Sequence, residues 1–169
     1  SGDRYGMWLN PRHPPITGLI LYTAHVHPSY SAPAKGWEMS ACRYITLDQC
    51  NVHGCHQGFA FGGSTDNDYI YFINCDSFEN GDHFQNGGLC NGFNINTPQG
   101  SHIFFEGCRA WSNSDDGYDA YGGSGYITFN RCWAFENGNW DGETGDGAGF
   151  KTGQIGATSS GVVRLLTNC

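Results

Sequence analysis

Four stretches of the sequence read alike: ITLDQC at 45–50, IYFINC at 70–75, IFFEGC at 103–108 and ITFNRC at 127–132. Each places an isoleucine five residues before a cysteine and a large apolar residue (Leu47, Phe72, Phe105, Phe129) three before it. Three residues after the cysteine stand His53, Phe78, Trp111 and Phe135; five after it stand Cys55, Asn80, Asn113 and Asn137. Every copy then reaches a second short apolar segment that opens on glycine: GFAF at 58–61, GFNI at 92–95, GYDA at 117–120 and GFKT at 149–152. Weaker copies lie at 19–26, 36–39 and 162–169. A period of about 25 residues holding two or three short strands is the signature of a coil that stacks on itself. Apolar residues alternate within each strand, so one face is buried and the other wet. No apolar stripe of helical period persists, and Gly or Asn interrupts every short stretch. The expected fold is all-β: one right-handed parallel β-helix over residues 1–169, of about six rungs and with no capping helix at either end.

Composition narrows the partners. The chain has 169 residues, 26 glycines, 8 cysteines and a formal net charge of −8, with two lysines and six arginines against 16 acidic residues. That balance argues against nucleic acid, whose phosphates need clustered cations. No apolar run approaches the roughly 18–20 residues of a membrane helix. Eight cysteines point to an oxidising, extracellular setting. Stacking tempers that inference, because Cys50, Cys75, Cys108, Cys132 and Cys169, with Ala24, fall in one column. Inward thiols there can form an apolar ladder, and stacked parallel side chains rarely meet disulfide geometry. Cys55 and Cys90 are the better disulfide candidates, and Cys42 has no obvious partner. Asn80, Asn113 and Asn137 form a second ladder, expected at a turn with left-handed backbone.

The repeat is uneven at one corner. Only 3 and 4 residues separate Cys55 from Gly58 and Asn113 from Gly117, but 12 separate Asn80 from Gly92 and Asn137 from Gly149. The long loops 81–91 and 138–148 leave the same corner on either side of the short turn that carries Asp115, Asp116 and Asp119. The arrangement predicts a groove with the loops as walls and the acidic turn as floor. Three carboxylates within five residues suit a hard cation such as Ca²⁺, although Asp also populates turns that bind nothing. Stacking also places Ala60, Asn94, Asp119 and Lys151 in one column. Lys151 is then either an ordinary ion-pair partner or a base beside a cation. Phe84 and Trp140 on the loops either stack on sugar faces or cap the loops themselves. His25, His27, His53 and His56 are surface or half-buried histidines by default. The glycine-rich 142–153 stretch lacks the ending of a phosphate loop.

The segments GCRAWSNSDDGYD at 107–119, NRCWAFENG at 130–138 and GDGAGFKTG at 145–153 resemble the family 9 polysaccharide lyases, which include calcium-dependent pectate lyases on a right-handed parallel β-helix. The resemblance covers residues 44–169 well. It implies that Asp115, Asp116 and Asp119 bind calcium, that Lys151 is the base, and that Asn91 stands where the family has a fourth calcium aspartate. A family lysine shortly after that position is replaced by Asn96. The implied reaction is β-elimination on a secreted, pectate-like uronic-acid polysaccharide, with Asn94, Phe84 and Trp140 as candidate substrate contacts. The competing expectation is a non-catalytic β-helix that binds polysaccharide or builds a filament through end-to-end stacking of its open ends.

Overall fold

A computed structural model describes residues 5–9, 16–17, 20–22, 35–61, 67–81, 86–96, 101–122, 125–153 and 163–169. Three parallel sheets share the chain in strict rotation. The first sheet holds Tyr5–Leu9, Lys35–Met39, Gln57–Phe61, Phe93–Asn94, Tyr118–Asp119 and Phe150–Lys151. The second holds Ile16–Thr17, Arg43–Asp48, Asp68–Ile73, His102–Glu106, Tyr126–Asn130 and Val163–Thr167. The third holds Ile20–Tyr22, Asn51–His53, Asp76–Phe78, Arg109–Trp111 and Trp133–Phe135. Among the described residues each turn of the coil contributes one strand to each sheet, except the turn of Phe150–Lys151 and Val163–Thr167, which contributes to the first two; this is a parallel β-helix. A small antiparallel hairpin, Asn139–Trp140 with Glu143–Thr144, interrupts the rotation within the 138–148 loop. Among the described residues there is no helix, and so none long and apolar enough to cross a membrane.

The register is the one the repeat dictates. Ile45, Ile70, Ile103 and Ile127 pair in sequence, as do Leu47, Phe72, Phe105 and Phe129. Parallel stacking brings like side chains together at the strand spacing, so aromatic rings lie face to face along the axis. Phe59, Phe93, Tyr118 and Phe150 stack at 5.0, 4.8 and 4.7 Å between centroids, while Phe72, Phe105 and Phe129 stack at 4.7 and 5.0 Å. The two columns meet edge to face across the core, Phe93 against Phe105 at 5.3 Å. This dry interior of stacked rings is the framework on which the corners are built.

Cys50, Cys75, Cys108 and Cys132 run through that interior as buried thiols, and Cys169 continues the column at the exposed end. Cys108 Sγ accepts from the Cys75 amide at 3.4 Å and donates to the Phe72 carbonyl at 3.4 Å. The expected Cys55–Cys90 bridge does not form. Cys55 lies in the core with its amide on Asn80 Oδ1 at 3.1 Å, whereas Cys90 Sγ rests 3.3 Å from His56 Nδ1. Cys42, buried, donates to the Ser40 carbonyl at 3.5 Å. Ala24, His25 and His27 lie outside the described residues.

The asparagine ladder is continuous: Asn80 Nδ2 donates to Asn113 Oδ1 at 2.7 Å, and Asn113 Nδ2 to Asn137 Oδ1 at 2.8 Å. The same oxygens accept the backbone amides of Asn80 and Asn113. The left-handed backbone falls one residue before the ladder, at Gly54, Glu79, Ser112 and Glu136, not on the asparagines. That residue turns the corner; the asparagine then caps the amides the turn leaves open. Glycine at 92 and 117 follows from the same ladder. A Cβ on Gly117 would lie 2.9 Å from Asn137 Nδ2 and 2.8 Å from the Gly149 carbonyl oxygen, closer than a side chain tolerates.

Candidate active site

The acidic turn 114–119 joins the third sheet to the first, and its side chains are more enclosed than a solvated turn would leave them. Asp116 is completely buried and Asp115 nearly so. Asp115 is a clasp: Oδ2 accepts the Leu89 amide at 2.7 Å and Oδ1 the Asp146 amide at 2.7 Å, one from each long loop. Ser114 Oγ adds a bond to the Gly87 carbonyl at 3.1 Å, and the Thr144 amide reaches the Asn86 carbonyl at 3.3 Å. The described parts of the loops therefore meet over Ser114 and Asp115 as well as flanking them. Trp140 is half-buried in the hairpin, and its Cδ1 stands 3.0 Å from where a Gly81 Cβ would be, so it packs on the base of the opposite loop. Phe84 lies outside the described residues.

Asp116 accepts from the Ala148 amide at 2.8 Å through Oδ1 and from Lys151 Nζ at 2.9 Å through Oδ2. Burial, aided by the charge of Asp115, pushes its carboxyl above the usual range, and the lysine pulls against that shift. Lys151 also donates to Asp146 Oδ2 at 3.0 Å and lies 5.5 Å from the Tyr121 ring. Partial burial opposes its charge, but the bonds to Asp116 and Asp146 outweigh that and raise it above ordinary lysine. The column Ala60, Asn94, Asp119, Lys151 has the expected register. Even so, the ammonium bonds to Asp116 and Asp146 rather than to its column neighbour Asp119.

Asp119 has other partners. Its Oδ2 accepts from Asn91 Nδ2 at 3.2 Å and its Oδ1 from the Tyr121 amide at 2.8 Å. Asn91 is fully buried and turns its oxygen to the Asp116 amide at 3.1 Å. Asn94 is half-buried beside Asp119 in the strand register, and Asn96 is exposed, below Gly122. Among the described residues, the acidic side chains whose oxygens converge tightly enough for a metal ion are Asp115, Asp116 and Asp146, with ligand atoms within 4.8 Å of one another. Asp146 is the residue that sequence reasoning passed over. It lies five residues before Lys151 within the segment 145–153, but no repeat position marks its approach to Asp115.

The fold and this corner can be set against known proteins. The family described as Pel9A-like, right handed beta helix region, matches residues 5–169. Pectate lyase L of Dickeya chrysanthemi is 41% identical over 135 residues, which cover 70% of this chain and 31% of that protein. Pectate lyase L of Thermoclostridium stercorarium is 36% identical over 104 residues, covering 57% of this chain and 8% of that protein. Among solved structures, pectate lyase Pel9A aligns with a TM-score of 0.52 at 28% identity, over 71% of this chain and 36% of that one. A rhamnogalacturonan lyase shares the fold, with a TM-score of 0.60 at 24% identity over 95% of this chain and 39% of that one. The chain spans well under half the length of each of these proteins. Its stacked parallel sheets and the match along nearly its whole length place it in the Pel9A-like right-handed β-helix family.

Proposed function

We propose that this chain is the β-helix region of a secreted, calcium-dependent polysaccharide lyase of family 9 that cleaves a pectate-like uronic-acid polymer by β-elimination. The observation that carries this reading is the contact of Lys151 Nζ with buried Asp116 Oδ2, at the corner where Asp115 and Asp146 also converge. A hard-oxygen donor set of this density suits Ca²⁺, and the lysine ammonium already acts as a cationic stand-in between two of the carboxylates. Asp115, Asp116 and Asp119, with the amide oxygen of Asn91, would hold the ion, and Asp146 brings a further carboxylate within 4.8 Å of Asp115 and Asp116. When bound, it would draw charge from a uronate carboxylate and so acidify the neighbouring C5 proton.

The chain's own residues supply the rest. Lys151, once it has given up its pair with Asp116 and Asp146 and released its proton to solvent, takes the C5 proton. The electrons of the C5–H bond form the C4–C5 double bond of the product, and the C4–O bond breaks with its pair going to the glycosidic oxygen, which takes a proton from water. Asp116, buried and anchored to the Ala148 amide, holds the lysine at this corner before substrate arrives. Asn94 and Tyr121 flank Asp119 and Lys151 on the same face and would meet the sugar.

Product mass tests the reaction class. Elimination adds no water, so the product masses from polygalacturonate sum to that of the substrate, whereas hydrolysis adds one water per cut. Unsaturated products with an acidic polymer and none with a neutral glucan are expected; saturated products or none would overturn the proposal. A second reading, calcium-mediated binding without cleavage, is favoured by Asn91, which offers an oxygen at the acidic corner but one negative charge fewer than the aspartate that the resemblance places there. Retention of the polymer by the intact chain with no product would select it.

A further inference from the structure

Resting on the lyase reading above, we propose that Tyr121 is a stacking platform for a galacturonate ring, and that it holds the sugar by the face that carries the C5 hydrogen. Tyr121 stands two residues past Asp119, beside the outer column of Asn94, Asp119 and Lys151 on the first sheet. It is 47% exposed.

The stacking rule of the coil fails at this position, and the failure leaves a ring face open. Elsewhere an aromatic ring on one turn is covered by a ring on the next, as Phe93, Tyr118 and Phe150 cover one another at 4.8 and 4.7 Å. Among the described residues Tyr121 pairs with no ring. The matching place on the next turn, two residues past Lys151, is Gly153, which has no side chain to lay over the phenol. A Cβ built there would meet nothing nearer than the Ala120 carbonyl oxygen, at 3.8 Å. On the preceding turn the matching place is Asn96, polar and exposed. The backbone beneath the ring is fixed, because the Tyr121 amide donates to Asp119 Oδ1 at 2.8 Å in a short side-chain turn. Lys151 Nζ borders the ring, 5.5 Å from its centre.

Sugar chemistry selects the ligand. An aromatic face takes the C–H face of a pyranose, and takes it best where no hydroxyl intervenes. In galacturonate O4 is axial, so the hydrogens on C3, C4 and C5 share the face opposite to it. In glucuronate O4 is equatorial, and the C4 hydrogen lies on the other face from those on C3 and C5. The C5 hydrogen and O4 of galacturonate are both axial and point to opposite sides. A base that removes this proton anti to the leaving oxygen must therefore come from the apolar face. Tyr121 and Lys151 adjoin on one surface, the ring to carry that face and the amine to reach its C5 hydrogen.

Ligand-observed saturation-transfer NMR with galacturonic acid tests the platform, because the monomer has no glycosidic bond to cleave. With the full chain and CaCl₂, saturation should be strongest at the hydrogens on C3, C4 and C5. Tyr121→Phe should keep it, Tyr121→Ala should lower it by about threefold or more, and glucuronic acid should show less than galacturonic acid. Equal saturation in wild type and Tyr121→Ala, or none in wild type, would overturn the inference. Thermal unfolding of each variant confirms that it is folded. Turnover gives a second readout: on polygalacturonate, Tyr121→Ala should raise KM by about fivefold or more, with the pH profile of kcat unmoved. A moved pH profile at unchanged KM would show that the ring serves Lys151 alone, overturning the platform and leaving the lyase intact. Saturation that depends on Tyr121 in a wild-type chain that releases no unsaturated product would overturn the lyase and leave the platform standing.

Discussion

Lys151 Nζ lies 2.9 Å from Oδ2 of Asp116, a carboxylate with no exposed surface, although the strand register sets the lysine beside Asp119. The lysine therefore reaches along the strand, toward the turn, and not straight across the sheet. The contact converts a buried carboxylate into half of an ion pair, and it concentrates the chain's reactive groups at one corner.

The pair has a pH signature. Lys151 is raised above its ordinary value near 10.5, since the bonds to Asp116 and Asp146 outweigh its burial. A base raised in the folded state contributes stability that is fully present below its unfolded value and is lost as pH rises through the folded one. Wild-type stability, measured by urea unfolding in EDTA, should fall above about pH 10.5, and Lys151→Met should remove that part of the decline. Parallel profiles for the two proteins would contradict the pairing.

Asn113 carries the ladder in the middle of the coil. Its oxygen serves the Asn80 amide and side chain, and its Nδ2 serves Asn137 and the Ser77 carbonyl. Asn113→Ala strands several buried polar groups and should cost about 2–4 kcal/mol in urea unfolding. Asn130→Ala removes a half-buried bond to Glu106 and should cost under about 1 kcal/mol. Equal costs would show that the ladder adds nothing beyond a surface bond.

Gly117→Ala forces a methyl against the Asn137 amide and the Gly149 carbonyl, both held in place by the next turn. Overpacking of this kind should lower stability by about 1–3 kcal/mol, visible as a fall in the urea midpoint. An unchanged midpoint would mean that neighbouring turns separate freely.

The thiol column gives a chemical count. Without reductant, native protein should show one thiol reacting rapidly with an aromatic disulfide reagent, Cys169, and denatured protein should show eight. Burial pushes the Cys108 thiol up, which slows its attack further. A denatured count of six would reveal a disulfide.

Much of this was legible in the residues. Isoleucine, phenylalanine and cysteine at fixed offsets determine the register, because parallel stacking repeats each position at one spacing. Asn113 and Asn137 announced their ladder in the same way. Corners were harder to read. The left-handed backbone falls on Glu79 and Ser112, residues with no strong preference for it, since the asparagine that follows rewards the turn. Cys55 and Cys90 share a corner yet face different neighbours, which spacing cannot reveal. Asp146 escaped because its approach to Asp115 depends on two loops folding onto each other, and no periodicity encodes that contact.

The most direct test of the central claim is the ultraviolet absorbance of unsaturated uronide released from polygalacturonate by the full chain. The trace is followed with calcium, then with EDTA, and with Lys151→Ala alongside. A general base is worth roughly 10²–10⁴-fold in rate, and the variant should lose that much. The account predicts a calcium-dependent rise that EDTA stops and Lys151→Ala nearly abolishes. A flat wild-type trace, or a variant as fast as wild type, would contradict it.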